Sequence, residues 1–290
     1  MENIKLGVIG GSGIYNIDSV QDGHWISVDT TFGVPSDKIF TGILNGIHVA
    51  FLPRHGRGHV HTPSNVPYRA NICAMKSIGV TDLIALSACG SLRQDMKPGD
   101  FVIVDQFIDR TFQRSKTFFD QACVAHISVA DPVCHRLGDM CRKVMCDLGL
   151  TYHDKGTYIT IEGPQFSTRA ESILYSEVWN CDVIGMTNMP EAKLAREAEI
   201  CYASIAMVTD FDCWHKDHEN VEVADIIKTL AANAASAKWL ITSLCAFADA
   251  SREVCSDGCD RALEFAIITD RNQISEDEQR RLQDIAGRVF

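Results

Sequence analysis

The sequence predicts a single α/β domain built on a mixed, largely parallel sheet flanked by helices. Short apolar runs bounded by turn residues alternate with longer amphipathic segments along most of the chain, which is typical of repeated strand–helix units. The composition, 46% hydrophobic and 22% charged over 290 residues, is that of an ordinary globular protein. No linker rich in proline, glycine or serine, and no internal repeat, divides the chain into independent domains.

The first half of the chain alternates strands with helices from its start. In order, the expected elements are a strand at 4–11, a hairpin at 41–56, a helix at 64–79, and strands at 82–92 and 99–109. The hairpin follows from Asn45-Gly46 between two apolar runs, because this dipeptide adopts the left-handed conformations of a two-residue turn. The helix is expected to stop at Gly79 because glycine adopts the same conformation readily after a helix.

The second half continues the pattern. The expected elements are a helix at 132–149, a strand at 156–165, helices at 169–179 and 190–199, a buried strand that ends near Thr209, and a long helix at 223–249. Residues 250–290 differ, with one short apolar run before a charged terminal helix. We therefore expect one domain over residues 1–249, with 250–290 as an appendage packed on the same domain.

Charge and hydropathy narrow the class of partner. The formal net charge is −11, which argues against general binding to nucleic acid or to anionic membranes. No apolar run is long enough to span a bilayer, and the N-terminus lacks the basic and apolar regions of a signal peptide. These features favour a cytoplasmic location.

The cysteine spacing does not indicate a metal or redox site. The chain has 12 cysteines, many of them inside apolar runs, and in a cytoplasmic protein such residues are expected to be small buried side chains. No C-x-x-C occurs, so a zinc ribbon or a thioredoxin-like site has little support. Cys255 and Cys259 flank a glycine turn and could form a local disulfide.

Polar or glycine-rich segments follow several of the expected strands. The carboxyl ends of parallel strands meet along one edge of a sheet, where ligands bind in open α/β folds. The segments are GGSG at 10–13, PRHGRGHVH at 53–61, SACGSL at 87–92, IEGPQFSTRAES at 161–172, GMTNMPEA at 185–192 and TDFD at 209–212. We expect the segments at these ends to line one crevice.

Two of these segments suit an anion. Glycine turns point backbone N–H groups at anions, although Gly10–Gly13 could also be merely a tight turn. Arg54 and His55 can donate hydrogen bonds to phosphate oxygens. His55, His59 and His61 could instead ligate zinc, but two nearby arginines repel a cation. An exposed basic loop is the remaining alternative.

The other segments suit close contact with an organic ligand. The small residues of SACGSL let the backbone approach a ligand, although they also suit close packing of a strand against a helix. Phe166 could stack on a flat base or pack at a hinge, and Thr187 could contact an anion or cap a helix. Asp210 and Asp212 follow a buried strand, where a carboxylate is costly unless something pairs with it.

Taken in order, these segments resemble those of the methylthioadenosine phosphorylases, within the trimeric purine nucleoside phosphorylase family. The likeness runs from about Ile4 to about Asp249 and is carried by SACGSL, PGDFVIVDQFIDRT, IEGPQFSTRAES and EICYASIAMVTDFDCW. It implies a nucleoside phosphorylase-like fold and a pentosyltransferase of methionine and purine salvage. Such an enzyme converts 5′-methylthioadenosine and phosphate to adenine and 5-methylthioribose 1-phosphate, with no metal and no organic cofactor.

The resemblance also implies roles for residues of this chain. Phosphate would be held by Ser12, Arg54, His55, Ser87, the Ala88 backbone N–H and Thr187. Met186 would lie under the ribose, Phe166 and Ser167 at the base, and Asp210 and Asp212 at the adenine edge. Asp210 would be the catalytic acid, its pKa raised by the closed site, and Phe211 would point into packing. Arg54→Ala is expected to weaken phosphate binding and leave folding nearly intact.

The 5′ end of the substrate is expected to meet two subunits. His126 would reach the 5′ pocket of a neighbouring subunit, so the resemblance implies a homotrimer, or a hexamer as a dimer of trimers. Val223 and Ile226 would form the apolar wall for the methylthio group, and Ser167 and Val223 would set specificity. The tail after Asp249 looks more like those of archaeal and bacterial members than those of animals.

Three alternative functions remain. A 6-oxopurine nucleoside phosphorylase or a methylthioinosine phosphorylase would hold a keto oxygen, which a carboxylate repels and an amide donor fits. Asp210 and Asp212 therefore argue against both. A nucleotide-binding regulatory module could also use a glycine-rich turn, but the chain lacks G-x-G-x-x-G at that turn, and the other polar strand ends do not fit such a module.

Overall fold

A central strand organises the sheet. The computed structural model describes residues 6–11, 19–215, 223–247 and 254–290, with the backbone alone at 223–228, 230 and 247. Within this part of the chain, eleven strands form one mixed sheet around the long strand β5 (Asp82–Ser91), with β1 (Leu6–Gly10) and β11 (Cys201–Phe211) parallel to it on either side. The predicted mixed sheet flanked by helices is confirmed.

The remaining strands extend the sheet in three directions. Beyond β1 lie β4 (Ile47–Pro53), β3 (Ile39–Leu44) and β2 (Gln21–Ile26). At its carboxyl end β5 pairs with β10 (Val183–Gly185), which is followed across the sheet by β9 (Thr157–Thr160) and β7 (Gln106–Asp109). On the other side, β11 pairs with β6 (Phe101–Val104), and β6 pairs with β8 (Tyr152–His153). Because β4, β1, β5 and β11 are parallel neighbours, their carboxyl ends share one edge of the sheet.

Helices cover both faces of the sheet. In chain order they are α1 (Tyr68–Ser77), α2 (His135–Asp147), α3 (Arg169–Ile173), α4 (Asn188–Glu197), α5 (Val223–Phe247), α6 (Glu276–Arg281) and α7 (Gln283–Ala286). Side chains of β5 alternate between two cores, with Leu83 against α1, α4 and α7 and Ile84 against α2 and α5. Fully burying an aliphatic side chain of this size contributes roughly 1.5–3 kcal/mol, so both helical layers stabilise the sheet.

The predicted turns form as expected. Asn45 and Gly46 adopt left-handed φ values of 51° and 79° in the two-residue turn between β3 and β4. α1 ends at Ser77, and Gly79 follows with a φ of 92° and an amide that donates to the Lys76 carbonyl at 2.9 Å. Glycine suits both positions because a left-handed φ carries no steric cost without a Cβ.

The structure differs from the predicted elements in several places; α1, for example, begins at Tyr68 and not at residue 64. The strand predicted at 99–109 is two strands, β6 and β7, which separate at Asp105 and pair with different neighbours, β11 and β9. The Asp105 carboxylate accepts from the Gly156 amide at 3.1 Å, which fixes this break. The edge strand β2 was not predicted, because its sequence QDGHWI is polar and mostly exposed.

The C-terminal segment contributes to the main core. Leu263, Leu282 and Ile285 are buried in the cluster that contains α1 and α4. The terminal helix is divided at Leu282 into α6 and α7. The division of the chain into 1–249 and 250–290 stays a prediction, because residues 248–253 lie outside the described residues. Among the described helices, none combines the length and the apolar character that a membrane span requires.

Candidate active site

A cavity of about 330 Å³ opens at the carboxyl ends of β1, β4, β5 and β11. Its volume is within the range of small-molecule binding sites. Its wall includes the following residues predicted for the site: Arg54, His55, Ser87, Ala88, Phe166, Ser167, Met186, Thr187, Asp210 and Asp212. The fold therefore brings five separate segments of the sequence to one place, as the strand-end pattern predicts.

Three hydroxyl groups meet at one end of the cavity. Ser87 Oγ lies 3.0 Å from Thr187 Oγ1 and 3.2 Å from the Tyr158 hydroxyl. Thr187 stands at the start of α4, but its side chain makes no capping hydrogen bond within the described structure, so the capping alternative has no support. Because each hydroxyl proton can rotate towards an acceptor, this group is suited to bind the oxygens of an anion.

Arg54 is fixed by a buried carboxylate beneath these hydroxyls. It is 1% exposed, and its Nε and Nη2 donate to the two oxygens of Glu191 at 2.8 and 3.0 Å. Further N–H groups donate to the carbonyls of Leu86 and Ile9. A guanidinium has five N–H groups, so one on Nη1 has no partner among the described residues and is available for a ligand.

This arrangement corrects one expectation from the sequence. Arg54→Ala was expected to leave folding nearly intact, but it would leave Glu191, which is 1% exposed, as an unpaired buried charge. Breaking a buried pair in this way costs about 3–5 kcal/mol. The sequence could not show this partner, because Glu191 lies 137 residues further along the chain.

His55 is held as a neutral imidazole. Its Nδ1 donates to the His61 carbonyl at 2.9 Å, and its ring stacks on that of His59 with 4.3 Å between centroids. Burial lowers the pKa of His55 to about 4, with the neighbouring Arg54 acting in the same direction. His61 also directs a ring nitrogen to a backbone carbonyl, that of Ser36 at 3.3 Å, so the zinc alternative for this loop gains no support.

A bulge in β11 aims two carboxyl groups into the other end of the cavity. Met207 and Thr209 line the cavity, and the register against β5 then shifts between Val208 and Asp210. In a regular strand Asp210 would lie on the face opposite to Met207 and Thr209. The extra residue of the bulge turns Asp210 back to the face that lines the cavity. Asp210 and Asp212 consequently both line the cavity.

Phe211 points the other way, as predicted. Its ring meets those of Trp214 at 6.4 Å and His215 at 5.0 Å. These contacts place an aromatic cluster behind the two carboxyl groups. The alternation of a strand thus separates the two polar side chains from the apolar one between them.

Burial makes both carboxyl groups hard to ionise. Burial and the nearby Asp212 carboxylate together raise the pKa of Asp210 to about 6, while a hydrogen bond from the Thr209 hydroxyl acts in the opposite direction. Burial also raises the pKa of Asp212. Thr209 Oγ1 lies 2.7 Å from Asp210 Oδ2 and 3.1 Å from the Cys89 carbonyl, so its hydroxyl can donate to either oxygen.

Two buried polar atoms at this end have no partner. Asp212 Oδ2 and Ser167 Oγ are inaccessible to solvent and make no hydrogen bond within the described part of the chain. A buried polar group without a partner costs about 1–3 kcal/mol, so both atoms destabilise the fold as they stand. Phe166, 49% exposed, stands at the rim of the same region.

A buried arginine positions the loop that carries Met186. Arg114 donates from Nη1 to the carbonyls of Met186 at 2.7 Å and Met189 at 2.6 Å, and from Nη2 to the carbonyl of Glu162 at 2.9 Å. The Glu162 carboxylate in turn accepts from the Phe112 amide at 2.5 Å. Arg114 was not identified from the sequence, because nothing in its surroundings distinguishes it from a surface arginine.

Four predicted site residues are not placed at the cavity. Ser12 lies outside the described residues, as do the side chains of Val223 and Ile226. His126 is exposed and away from the cavity, and its backbone amide donates to the Ala266 carbonyl at 2.8 Å. This position is compatible with a role in a neighbouring subunit, which stays a prediction.

Comparison with known proteins identifies the family of this chain. The family model described as the phosphorylase superfamily matches residues 5–245. The S-methyl-5′-thioadenosine phosphorylase of Cereibacter sphaeroides is 57% identical over 98% of this chain and 98% of its own. The fold is similar to that of a methylthioadenosine phosphorylase from an Antarctic soil metagenomic library, with a TM-score of 0.92, 44% identity, and 98% and 99% of the two chains covered.

A further solved structure contains a ligand. The methylthioadenosine phosphorylase of Schistosoma mansoni in complex with adenine has a TM-score of 0.86 to this chain at 33% identity, with 93% of this chain and 100% of that one covered. These matches extend over nearly the whole sequence, and the cavity residues lie within the segment that the family model matches. The chain is therefore a member of the phosphorylase superfamily, related to its S-methyl-5′-thioadenosine phosphorylases.

Proposed function

We propose that this protein catalyses the phosphorolysis of 5′-methylthioadenosine to adenine and 5-methylthioribose 1-phosphate. The observation that carries the proposal is the cavity itself, which has anion donors at one end and a buried pair of carboxyl groups at the other. The near full-length similarity to enzymes named for this substrate supports the same activity. No organic cofactor is needed for the chemistry that these residues can perform.

The first end would bind the nucleophile. The Ser87 and Thr187 hydroxyls and the remaining Nη1 proton of Arg54 would donate to phosphate oxygens, with Ser12 and the Ala88 amide as further donors. His55 carries its proton on Nδ1, so its Nε2 would accept a hydrogen bond from a P–OH group. Phosphate bound here would face the sugar above Met186.

The second end would bind the base. Ionised Asp212 would accept a hydrogen bond from the exocyclic amino group of adenine. Ser167 Oγ would bond to the same base, and Phe166 would cover it. Protonated Asp210 would donate to N7, directly or through one water, because its pKa of about 6 leaves part of the population protonated near neutral pH.

The reaction then moves charge from the sugar to the base. A phosphate oxygen forms a bond to C1′ while the bond from C1′ to N9 breaks, and that bonding pair passes to adenine. Positive charge that develops on the sugar is stabilised by the phosphate beneath it. The Asp210 proton neutralises the departing adenine, a contribution typically worth ~10²–10⁴-fold.

The 5′ pocket would be completed by a second subunit. His126 of one chain would reach the pocket of its neighbour, and Val223 and Ile226 would provide an apolar wall for the methylthio group. We therefore propose a homotrimer, or a hexamer as a dimer of trimers, that acts in the cytoplasm on a small-molecule substrate. Ser167 and Val223 would set specificity at the base and at the 5′ end.

A phosphate-dependent turnover assay tests the activity. Purified protein should release adenine from 5′-methylthioadenosine only when phosphate is present. It should be less active on adenosine, because a 5′-hydroxyl group must lose its bound water to lie against the apolar wall of the pocket. Methylthioinosine and a 6-oxopurine nucleoside should be poor substrates. Preference for either of these, or release of base without phosphate, would reject the proposed reaction.

A further inference from the structure

Four buried cysteines from three segments meet at the amino end of β11, on the opposite edge of the sheet from the cavity. Cys134 precedes α2, Cys201 begins β11, and Cys255 and Cys259 flank a turn of the C-terminal segment. All four sulfur atoms lie within 4.8 Å of one another, and those of Cys134 and Cys255 are 3.6 Å apart. All twelve cysteines of the chain are thiols in the structure.

The mutual distances favour a tetrahedral ion over paired disulfides. Four thiolates around zinc, at Zn–S distances of about 2.3 Å, leave all sulfur pairs roughly 3.8 Å apart. Two disulfides would instead bring together only two of the six pairs of sulfur atoms. They would place no limit on the distances within the other four pairs. Here every one of the sulfur pairs is close, which is the pattern of a tetrahedral site.

A buried arginine beside the sulfur atoms indicates an anionic group. Arg196 is 8% exposed and donates from Nη1 to Cys259 Sγ at 3.3 Å. Its Nη2 donates to the backbone carbonyls of Asp131 and Val133, and it forms no ion pair with a carboxylate among the described residues. A buried cation needs a counter-charge. Four neutral thiols provide none, whereas zinc with four thiolates carries a net charge of −2.

The turn between the last two cysteines is held in place by further contacts. Gly258 has a left-handed φ of 65°, which reverses the chain within the sequence CSDGC. The Asp260 carboxylate accepts from the Cys255 amide at 3.2 Å, and the Asp257 carboxylate accepts from the His135 amide at 2.6 Å. The turn is thereby docked against the start of α2, with its sulfur atoms directed at Cys134 and Cys201.

We propose that Cys134, Cys201, Cys255 and Cys259 bind one structural zinc ion. The thiols would release their protons to solvent, and zinc would bind the four sulfur atoms with no change of oxidation state. All four positions are filled by protein, so no site remains for a substrate or a water, and the ion would have no part in catalysis. It would join the C-terminal segment to the sheet and α2.

Metal analysis of the full-length protein tests this assignment. The protein should be expressed without a metal-affinity tag in medium supplemented with zinc, and its metal content measured by mass spectrometry. We expect about one zinc per chain in the wild type. Cys201→Ser and Cys259→Ser should each reduce this content to near zero, whereas Cys141→Ser, which changes an equally buried thiol of α2 outside the cluster, should retain it.

X-ray absorption on the wild type keeps the test independent of how the variants fold. Zinc surrounded by four sulfur atoms at about 2.3 Å would support the site. A wild type without zinc, in which all cysteines react with an alkylating agent after denaturation, would overturn it. Disulfides between these cysteines would also overturn the assignment, and each would lower the intact mass by two hydrogens. Zinc bound through nitrogen or oxygen atoms would overturn it as well.

Discussion

Asp210 is the side chain that we propose as the proton donor, and its titration gives the first prediction. The acid must be protonated to act, so kcat/KM should fall as the pH rises through about 6. Asp210→Asn should lower kcat far more than it weakens substrate binding, because the proton is needed in the transition state. In Asp210→Asn the fall of kcat/KM through pH 6 should also disappear. The pH dependence caused by the titration of phosphate itself should persist in the wild type and in the variant.

The same titration affects stability in a defined direction. The folded protein binds the Asp210 proton more tightly than the unfolded chain, since the pKa rises from 3.8 to about 6. The stabilisation is therefore complete below pH 3.8 and is lost as the pH rises through 6. Asp210→Asn should consequently be more stable than the wild type at pH 8, as measured by urea unfolding. If Asp210→Asn had a kcat close to that of the wild type and equal stability at pH 8, the proposed catalytic role of Asp210 would be contradicted.

Asp212 gives a separate prediction about the choice of base. An ionised carboxylate accepts from a 6-amino group, whereas an amide can donate to a 6-keto oxygen. Asp212→Asn should therefore reduce the preference for methylthioadenosine over methylthioinosine, measured as the ratio of their kcat/KM values. Asp37→Asn, which changes a carboxylate paired with Arg57 outside the cavity, is the control and should leave the ratio unchanged. An unaltered ratio in Asp212→Asn would contradict the proposed contact.

Arg54 is expected to contribute both to phosphate binding and to the stability of the fold. Arg54→Ala should lower the free energy of unfolding by about 3–5 kcal/mol, because it leaves the Glu191 carboxylate buried and unpaired. Arg142→Ala, which removes an exposed pair with Asp139, should cost less than about 1 kcal/mol. Arg54→Lys keeps the charge but cannot span both carboxylate oxygens, so it should fold better than Arg54→Ala and show a raised KM for phosphate. An unchanged KM in Arg54→Lys would argue against the phosphate contact.

At the scale of elements, the carboxyl group of Asp210, which follows the bulge in β11, lies close to a glycine of the adjacent strand β5. A Cβ on Gly90 would lie 3.0 Å from Asp210 Oδ1 and 3.2 Å from the Ile184 side chain. Gly90→Ala should thus displace the acid and lower kcat at least tenfold, with a smaller change in the KM for the nucleoside. Gly138→Ala in α2, where the nearest atom is 3.8 Å away, is the matched control and should leave kcat unchanged. Equal kcat values for the two variants would show that the acid tolerates displacement.

Most of these elements could be predicted because apolar periodicity and turn residues are local signals. The strands that end at the cavity are short apolar runs followed by polar residues, so the fold class and the segments at the cavity followed from these signals. The ten individual cavity residues came instead from the resemblance to a known family. The bulge between Val208 and Asp210 could not be predicted, because it depends on the register against β5. Long-range partners such as Glu191 for Arg54, and Arg114 under the Met186 loop, leave no local pattern either.

At the scale of the whole molecule, exposed apolar side chains lie on the C-terminal segment that pairs with the chain beside His126. Ala125 bridges to Ile267, and the neighbouring Phe265 and Ile268 are 91% and 63% exposed. Exposed apolar residues beside His126 would suit the contact between chains that we propose. The C-terminal segment would then serve assembly as well as the core.

This surface gives the last prediction, which concerns assembly and activity together. The wild type should be a trimer or a multiple of one by light scattering, and Phe265→Glu should shift it towards monomers, because a buried charge would oppose the contact. If His126 completes the neighbouring site, activity should be lost in proportion to the loss of trimers. His126→Ala separates the two effects, since it should remain trimeric while the KM for methylthioadenosine rises. A fully active monomer, or His126→Ala with an unchanged KM, would place the whole site within one chain.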